Sequence, residues 1–474
     1  MAESQSHETG TTGSAFDALG QAMRGPCIGP QDPRFEEARQ VWNRGVEKRP
    51  AVIARCSGVA DVIEAVNFAR AQDLVVAVRG GGHNVAGNAV CEGGIVIDLG
   101  AMNHVSVDVA TRRVRAGGGA TIGDVDHETQ AFGLAVPLGI VSETGIGGLT
   151  LCGGHSWLTR KYGFACDNLL SVELVTADGR LLKASETENA DLFWAIRGGG
   201  GNFGVVTTFE FQAYPVGPDI TFCAAFYPIE DAPAVCRGWR EYVADAPDEV
   251  TAQVIFWSIP AHEHYPVELH GRQIVAAAAL HCGSLEEGQA YIKPLRELAT
   301  PLLDRSGTMP YKAIQAAFDA LFVKGERFNY WKSLYLNSLD DAAFDRIIAR
   351  AASRPNPWTV LPIRLMGGAS GRVPAEATAL GGRDAAYMLS IDSSWTDPAD
   401  GDRNIAWTRD FWEEMNQSEA GSIYLNFVAD GEHSESMLRA AYGDANYDRL
   451  VDIKTKFDPN NMFRLNQNIR PETA

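Results

Sequence analysis

The sequence predicts an α/β fold for the first part of the chain, because a helical segment is followed by two buried strands. Residues 59–72 place apolar side chains at helical spacing, and residues 74–78 form an apolar run with no polar face. Residues 94–99 form a second short run of the same kind. Since strands that lack a polar face lie in sheets covered on both sides, this order predicts a sheet packed against helices.

The elements further along the chain follow from periodicity and from turn residues. Residues 121–132 are expected to form a helix capped by the hydroxyl of Thr121. Residues 171–183 are expected to form a hairpin that turns at Asp178 and Gly179. The other predicted elements, in chain order, are strands over 105–109 and 113–116, a helix over 189–197, strands over 204–213, 361–366 and 421–427, and a helix over 448–457.

Length and charge restrict the class of protein. The chain has 474 residues, which suggests two or three domains. Its net charge of −19 disfavours nucleic acid as a partner, because an acidic surface repels phosphates. No apolar run of about 18 residues occurs, so neither a membrane span nor a membrane partner is expected. Residues 1–14 lack the apolar core of a secretory signal and are predicted to be a disordered tail of a cytoplasmic protein.

The cysteines and histidines give no metal-binding pattern. None of the eight cysteines forms a C-x-x-C pair, which excludes zinc ribbons and thioredoxin-type motifs. In a chain of this length without a leader, the cysteines are expected to be reduced and mostly buried. His262 and His264 lack the spacing of metal ligands on a regular element, so no metal site is predicted.

Glycine is concentrated in three clusters, over 80–82, 145–154 and 198–204. Consecutive glycines let backbone N–H groups converge on an anion such as pyrophosphate, because no Cβ blocks the approach. The other interpretation is a set of tight loops, but two of the clusters lie next to a histidine, which favours a site. Residues 199–204 spell G-x-G-x-x-G, yet a predicted helix precedes them and a predicted strand follows. That order is the reverse of the dinucleotide-binding motif.

Five motifs follow one another in the order found in a known flavoprotein family. They read V-R-G-G-G-H-N, G-I-G-G-L-T-L-C-G-G-H-S-W-L-T-R-K-Y-G, L-F-W-A-I-R-G-G-G-G-N-F-G-V-V, Y-L-N-F and F-D-P-N-N-M-F-R-L-N-Q-N-I. Over residues 35–215 and 420–470 the chain resembles the berberine-bridge-enzyme-like oxidases of the vanillyl-alcohol-oxidase superfamily, which have a PCMH-type FAD-binding domain. The residues between match only in order and size.

The resemblance implies an α+β fold of two parts. An α/β-type FAD-binding domain of two subdomains would join a substrate domain with an antiparallel sheet covered by helices. The implied boundaries are an N-terminal extension over 1–33, the FAD-binding domain over 34–215, the substrate-binding domain over 216–417, and a C-terminal segment over 418–474 that returns to the FAD domain.

The resemblance also implies that His83 is joined covalently to the 8α-methyl group of FAD. A neutral imidazole is a nucleophile near neutral pH, and the glycines before it would hold the backbone against the pyrophosphate. From spacing alone, a hydrogen-bonded core histidine is the alternative. Many relatives attach the flavin a second time through a cysteine, but that position holds Val141 here. No second bond is expected through Cys152, so a single linkage is predicted.

The matching motifs imply further cofactor-binding residues around His83, in the later glycine clusters and near the C-terminus. His155 departs from the family pattern, since relatives usually carry an aromatic or aliphatic residue there. The implied set is Arg79, Gly80, Gly81, Gly82, Asn84, Val141, Thr144, Gly145, Gly147, Gly148, Cys152, Gly153, His155, Gly204, Val205, Val206, Asn426, Asn466 and Asn468.

Three residues are implied to act in catalysis. Family members pass a hydride from an alcohol or amine to the flavin while a base removes the second proton, and the Y-x-N motif places this base at Tyr424. An ordinary tyrosine has a pKa near ~10, so Tyr424 would need a cation or a donor beside it, and Arg364 is the candidate. Thr144 lies where relatives control oxygen access, and its small side chain favours an oxidase. The alternative for Tyr424 is a core aromatic residue.

The implied function is an FAD-linked oxidase that produces hydrogen peroxide, in secondary metabolism or sugar oxidation. Its partners would be a small-molecule substrate and dioxygen, and the sequence does not determine its oligomeric state. The alternatives are a flavin dehydrogenase that uses another electron acceptor and a scaffold that binds FAD without turnover. Candidate substrate contacts are Trp257, His270, Arg272, Tyr330 and Trp331.

Overall fold

The computed structural model describes residues 8–419, 421–432 and 434–472. Its longer helices lie on the faces of three main sheets. The helices are α1 (Glu8–Ala22), α2 (Phe35–Ala38), α3 (Val59–Ala71), α4 (Ile122–Gln130), α5 (Ile146–Leu151), α6 (Thr159–Tyr162), α7 (Ala190–Ile196), α8 (Ala232–Val243), α9 (Leu285–Leu295), α10 (Tyr311–Gln315), α11 (Asp341–Ala352), α12 (Ala369–Arg372), α13 (Gly401–Glu419), α14 (Glu435–Tyr442) and α15 (Asp444–Phe457).

The strands divide among the sheets in chain order. The first sheet takes β1 (Cys27–Ile28), β2 (Val52–Arg55), β3 (Val76–Arg79) and β4 (Ile95–Asp98). The next strands are β5 (Val105–Asp108), β6 (Arg113–Gly117), β7 (Leu134–Ala135), β8 (Leu169–Val175), β9 (Leu181–Ser185), β10 (Val205–Gln212) and β11 (Tyr214–Pro215). The largest sheet takes β12 (Asp219–Pro228), β13 (Val250–Ser258), β14 (Gln273–His281), β15 (Leu303–Asp304), β16 (Gly307–Pro310), β17 (Phe328–Leu336), β18 (Leu361–Leu365) and β19 (Tyr387–Trp395).

The first sheet has the strand order β1-β2-β4-β3 and confirms the α/β prediction for this part of the chain. Strands β2, β4 and β3 run parallel. Ile95, Val96 and Ile97 of the central strand β4 are all 0% exposed, because α3 covers one face and other core residues cover the second. Because both faces of the strand are buried, its residues do not alternate between polar and apolar.

The second sheet is antiparallel, with the strand order β5-β6-β10-β8-β9. The predicted hairpin is confirmed as β8 and β9, with Asp178 and Gly179 in the turn. Gly179 has φ +83°, a conformation that favours glycine. The predicted cap of α4 is also confirmed, since the Asp124 N–H donates to the Thr121 hydroxyl at 3.2 Å.

The largest sheet confirms the predicted antiparallel sheet covered by helices. Its strand order is β15-β12-β14-β13-β18-β19-β17, with β16 paired to β12. Alternate residues of each strand point to opposite faces. Val254 and Phe256 pack with the helices α8, α9, α11 and α13, while Ile255 and Trp257 on the other face pack near the first part of the chain. That second face is the one that reaches the candidate site.

The predicted disordered tail is wrong for residues 8–14, which form the first part of α1. Residues 1–7 of that tail lie outside the described residues. The helix is fixed at its later turns, where Leu19 is buried and the Phe16 ring lies 5.8 Å from that of Phe68 on α3. The local composition does not reveal this contact, because it depends on the tertiary position of α3.

The predicted strand over 421–427 is also wrong. Leu425–Phe427 is a short 3-10 helix, and the residues before it form no ladder. A side chain of β17 replaces the ladder: the Tyr424 N–H donates to the Ser333 hydroxyl at 3.0 Å, and that hydroxyl donates to the Tyr424 carbonyl at 3.1 Å. The aromatic and β-branched residues that suggested a strand are used instead for packing beside the cavity.

A fully buried lysine fixes the C-terminal segment to the last glycine cluster. The ammonium of Lys454, on α15, donates to the Asp458 carboxylate at 2.6 Å and to the carbonyls of Asn202 and Phe463 at 2.8 and 2.9 Å. Both members of the ion pair are 0% exposed. Each ammonium proton has an acceptor, so the buried charge is satisfied.

We expect Lys454→Met to lower the free energy of unfolding by about 3–5 kcal/mol, because it leaves the Asp458 carboxylate buried without its cation. Chemical denaturation of the purified protein measures this loss. The control is Lys456→Met, which removes a surface pair with Asp191 and should cost less than about 1 kcal/mol. Equal losses in the two variants would contradict the role assigned to the buried pair.

The cysteines are free thiols, as the sequence predicts, and all are buried except the half-buried Cys27. Within the described ranges, no helix is both long enough and apolar enough to cross a membrane. In the same part of the chain, no three side chains of His, Cys, Asp or Glu are grouped to hold a metal ion.

Candidate active site

One large cavity lies between the glycine loops and the second face of the largest sheet. Its empty space is about 1590 Å³, including the solvent at its mouth. Most residues predicted from the motifs line it, namely Gly80, Gly81, Gly82, His83, Asn84, Val141, Thr144, Gly145, Gly147, Gly148, Cys152, His155, Gly204, Val206, Arg364, Tyr424, Asn426 and Asn466. Residues far apart in the sequence therefore meet at one surface.

Two of the glycine loops that line the cavity contact each other through backbone atoms alone. A Cβ added at Gly81 would lie 2.4 Å from the backbone nitrogen of Gly145, and one added at Gly145 would lie 2.3 Å from that of Gly81. A Cβ at Gly80 would lie 2.8 Å from the carbonyl oxygen of Gly118. Any side chain at Gly81 or Gly145 would separate the two loops, so close packing requires glycine there.

The first glycine loop leaves its N–H groups unpaired. No oxygen in the described part of the chain accepts a hydrogen bond from the backbone N–H of Gly80, Gly81 or Gly82. Backbone donors need a partner, and a row of free donors at the wall of a cavity suits an anion such as a phosphate. The loop therefore has the donors that the predicted pyrophosphate nest requires.

His83 presents a neutral, unpaired imidazole to the cavity. Its ring stacks on the indole of Trp42 with 4.5 Å between centroids and 18° between planes. The Trp42 backbone N–H donates to the Gly82 carbonyl at 2.9 Å, which ties the stack to the glycine loop. The buried Nε2 atom has no hydrogen-bond partner. Burial lowers the pKa of His83 to about 4, so the ring is neutral near pH ~7 and keeps a nucleophilic lone pair.

The positions considered for a second flavin bond offer no reactive thiolate. Val141 lines the cavity with an apolar side chain. Cys152 also lines it, but burial raises the pKa of this thiol to about 12. Since the thiolate is the nucleophilic form of cysteine, Cys152 is unreactive near neutral pH.

The hydroxyl of Tyr424 receives three N–H donors. The backbone N–H groups of Gly154 and His155 donate to it at 3.0 and 3.1 Å, and the Asn426 amide donates at 2.9 Å. Burial raises the pKa of Tyr424 to about 12, although the three donors oppose this shift by stabilising the phenolate. The oxygen is thus surrounded by donors that fit the ionised form.

Arg364 shares this side of the cavity but does not contact the Tyr424 hydroxyl. Its guanidinium lies 5.4 Å from the centre of the Phe427 ring, and the Tyr424 ring lies 5.1 Å from the same ring. Burial lowers the pKa of Arg364, while Asp392 and Tyr424 oppose the shift. Burial and then Arg364 lower the pKa of His155 to about 3, so this imidazole is neutral.

Four of the predicted cofactor residues are not part of the cavity wall: Arg79, Gly153, Val205 and Asn468. Arg79 is the last residue of β3 and pairs with Asp98 of β4 at 2.8 Å. Val205 faces the core on the opposite side of β10 from Val206, because side chains alternate along a strand. The buried side-chain oxygen Oδ1 of Asn468 has no hydrogen-bond partner in the described part of the chain.

Of the candidate substrate contacts, Trp331 alone lines the cavity among the described residues. Trp257 packs in the core against the rings of Phe226 and Tyr265. Tyr330 bonds to Glu432 on the other side of its strand. Strand alternation separates Tyr330 from Trp331, and the sequence alone does not tell which of the two points inward.

Several cavity residues escape sequence reasoning. Trp42 and Phe322 lie in loops without a motif, and only the fold brings them to His83. Asp392 carries a detectable signal, because it is the one charged residue of strand β19. The cavity residues missed in this way include Asn88, Leu99, Gly118, Phe322, Asp392 and Gln467, and Trp42, which stacks on His83, is missed as well.

Two family models match the chain: one described as an FAD binding domain over residues 50–185, and one described as berberine and berberine like over residues 423–470. The chain is 33% identical over 467 residues to (R)-6-hydroxynicotine oxidase of Paenarthrobacter nicotinovorans, across 95% of this chain and 98% of that protein. The crystal structure of 6-hydroxy-D-nicotine oxidase from Arthrobacter nicotinovorans matches with a TM-score of 0.84 at 30% identity, across 95% and 98% of the two chains. A BBE-like protein of Physcomitrella patens shares the fold, with a TM-score of 0.86 at 22% identity across 97% and 100%.

The fold and the glycine-walled cavity define an FAD-binding oxidoreductase of the PCMH type. The chain belongs to the berberine-bridge-enzyme-like family of FAD-linked oxidoreductases. The residues present fit this cofactor, since the loop over 80–82 offers free N–H groups for phosphate and His83 offers an unpaired Nε2.

We expect Gly81→Ala to disrupt this cradle. The added methyl group would overlap Gly145, so the loops must separate, at a cost of about 1–3 kcal/mol in the free energy of unfolding and with loss of bound flavin. Flavin absorbance per chain and chemical denaturation measure the two effects. Gly148→Ala is the control for packing, because nothing lies within 4 Å of its added Cβ, and its unfolding free energy should stay within about 0.5 kcal/mol. Unchanged flavin content in Gly81→Ala would contradict the cradle.

Proposed function

We propose that this enzyme is an oxidase whose FAD is attached through His83 alone, and that it oxidises a carbon bearing a hydroxyl or amino group. The observation that carries the proposal is the placement of two groups in one cavity. A neutral His83 imidazole with an unpaired Nε2 follows the first glycine loop, and a Tyr424 hydroxyl surrounded by donors lines the same cavity at the end of the second glycine cluster.

The support for attachment at His83 is geometric and electrostatic. The Trp42 stack fixes the ring plane, and the glycine loop fixes the backbone, so the imidazole has one orientation toward the cavity. Neutrality leaves the lone pair free for a C–N bond to the 8α carbon. That carbon would lose a C–H bond in exchange, and the two electrons released would reduce the flavin and then pass to dioxygen. Val141 and the protonated Cys152 thiol support a single bond.

Tyr424 is the proposed base for the substrate hydroxyl or amine proton. The N–H groups of Gly154, His155 and Asn426 stabilise the phenolate, and the nearby positive charge of Arg364 adds to this effect. Arg364 acts through the field rather than by a hydrogen bond to the phenol. FAD, when bound, would supply the hydride acceptor, and its reoxidation by dioxygen would give hydrogen peroxide.

The experiment that tests the function is a panel of alcohols, sugars and amines added to the purified holoenzyme without oxygen. A substrate bleaches the flavin absorbance, and admission of air should restore the colour with one peroxide formed per turnover. Bleaching that persists in air, and is reversed by another electron acceptor, would support the dehydrogenase instead. Bleaching by no member of a broad panel would favour a flavin-binding scaffold.

Thr144 is proposed to leave room for dioxygen, and Thr144→Leu tests this role. The residue lines the cavity, and its backbone is held by the carbonyl of Val141 and the N–H of Ile122. We expect the larger side chain to slow reoxidation in air about tenfold, or about 1.4 kcal/mol in the barrier. Stopped-flow absorbance separates reoxidation from reduction. Thr144→Ser is the control, and an equal rate of reoxidation in Thr144→Leu would remove Thr144 from oxygen access.

A further inference from the structure

Arg364 is a buried cation without an acceptor. It belongs to β18, is 4% exposed and lines the cavity. Its buried Nη1 has no hydrogen-bond partner, and no carboxylate in the described part of the chain lies within ion-pair distance of it. Two other buried arginines show the usual arrangement. Arg160 donates to the carbonyls of Val250 and Ala246, each at 2.8 Å, and Arg383 pairs with the Asp167 carboxylate at 2.6 Å.

Burying an unpaired guanidinium is unfavourable, and a partner in the cavity would offset the cost. The cofactor phosphates already have donors in the free N–H groups of the loop over 80–82. Arg364 lies on the Tyr424 side, where both side chains flank the ring of Phe427. This is the side on which the proposed base meets the substrate, so a substrate group is the natural partner of Arg364.

The neighbouring groups show which kind of partner is missing. The titratable groups that face Arg364 are Asp392 on β19, Tyr335 on β17, Tyr424 and His155. Asp392 already accepts a hydrogen bond from the Ser390 hydroxyl. His155 is neutral, and the Tyr424 oxygen already accepts three hydrogen bonds from other groups. The Asp392 carboxyl has a hydrogen-bond donor, whereas the Arg364 guanidinium has no acceptor. The group that is missing beside Arg364 is therefore an oxygen anion.

We propose that Arg364 binds a carboxylate on the substrate, so that the substrates are planar alcohols or amines that carry a carboxylate group. This inference rests on the proposed function, because Tyr424 marks the reacting side of the cavity. A guanidinium binds a carboxylate through two parallel N–H donors, which fixes the orientation of the group as well as its position. The rings of Phe427, Trp331 and Phe322 border the same space and suit a planar body.

The test uses two probes of nearly the same shape, benzoate and its neutral analogue benzamide. Each is titrated into the oxidised holoenzyme, and binding is followed by the flavin difference spectrum and by calorimetry, without turnover. We expect benzoate to bind about 10- to 100-fold more tightly than benzamide. In Arg364→Gln this preference should disappear through weaker benzoate binding, and in Arg364→Lys part of it should remain.

Asp392→Asn provides an independent check that does not alter Arg364. It removes the negative charge that competes with a bound carboxylate, so benzoate should bind more tightly while benzamide changes little. Equal binding of the two probes to the wild type, absence of benzoate binding, or a preference that survives in Arg364→Gln would overturn the proposal. A failure of the proposed function is detected separately. A protein that carries no attached flavin shows this in its absorbance spectrum before any probe is added.

Discussion

A His83→Ala variant is expected to release all of its flavin when the protein is precipitated with acid, whereas the wild-type pellet stays yellow. The reason is that His83 supplies a neutral imidazole with an unpaired Nε2, directly after the glycine loop whose N–H groups are free. Its Nε2 has no partner, while burial keeps the Cys152 thiol protonated. The absorbance of the pellet measures the flavin that stays bound to the protein, and the absorbance of the supernatant measures the flavin that is released.

A matched histidine controls for this result. His264 is exposed on a loop far along the chain, and His264→Ala should keep the wild-type division of flavin. The alanine at position 83 leaves Trp42 without its stacking partner, so some loss of flavin affinity is expected in addition. A yellow pellet from His83→Ala would place the bond on another residue and would remove the argument for a single attachment.

A Tyr424→Phe variant is expected to reduce its flavin about 10²- to 10⁴-fold more slowly than the wild type with any substrate that bleaches it. The substitution keeps the ring and its packing against Phe427 but removes the oxygen on which Gly154, His155 and Asn426 converge. Anaerobic stopped-flow absorbance measures this step apart from reoxidation. Flavin content should be unchanged.

The pH dependence gives a second, independent readout. The pKa of Tyr424 is raised to about 12, so the phenolate fraction grows about tenfold for each pH unit below that value. The rate of flavin reduction should therefore rise with pH in the wild type and lose this slope in Tyr424→Phe. Tyr335→Phe is the control, because its hydroxyl is buried with no partner and does not line the cavity. A wild-type slope in Tyr424→Phe would exclude Tyr424 as the base.

Local chemistry was sufficient to predict much of the fold. The turn at Asp178 and Gly179 and the cap at Thr121 depend on neighbours within a few residues, and both are confirmed. The helix α1 and the segment over 421–427 depend on contacts with distant elements, such as the bonds between Tyr424 and Ser333 of β17. The residues of these two segments carry no pattern that predicts such contacts, so their structure cannot be deduced from the local sequence.

The candidate site also has one part that the sequence predicts and another that only the fold reveals. Its glycine loops and His83 stand in motifs, because close backbone contact leaves a direct mark on the sequence. Trp42 leaves no such mark, since its stack on His83 joins two loops about 40 residues apart through the fold. Asp392 and Trp331 line the cavity from strands of the largest sheet, outside the motifs of the sequence. The domain boundaries at 34, 216 and 418, a cytoplasmic location and a role in secondary metabolism stay predictions.

The most direct test of the central claim is peptide mass mapping of the purified wild-type protein. After denaturation and proteolysis, the peptide that contains His83 should carry the mass of FAD, and fragmentation should place the added mass on the imidazole. The peptides that contain Cys152 and His155 should have unmodified masses. A free FAD molecule together with an unmodified His83 peptide would contradict the account.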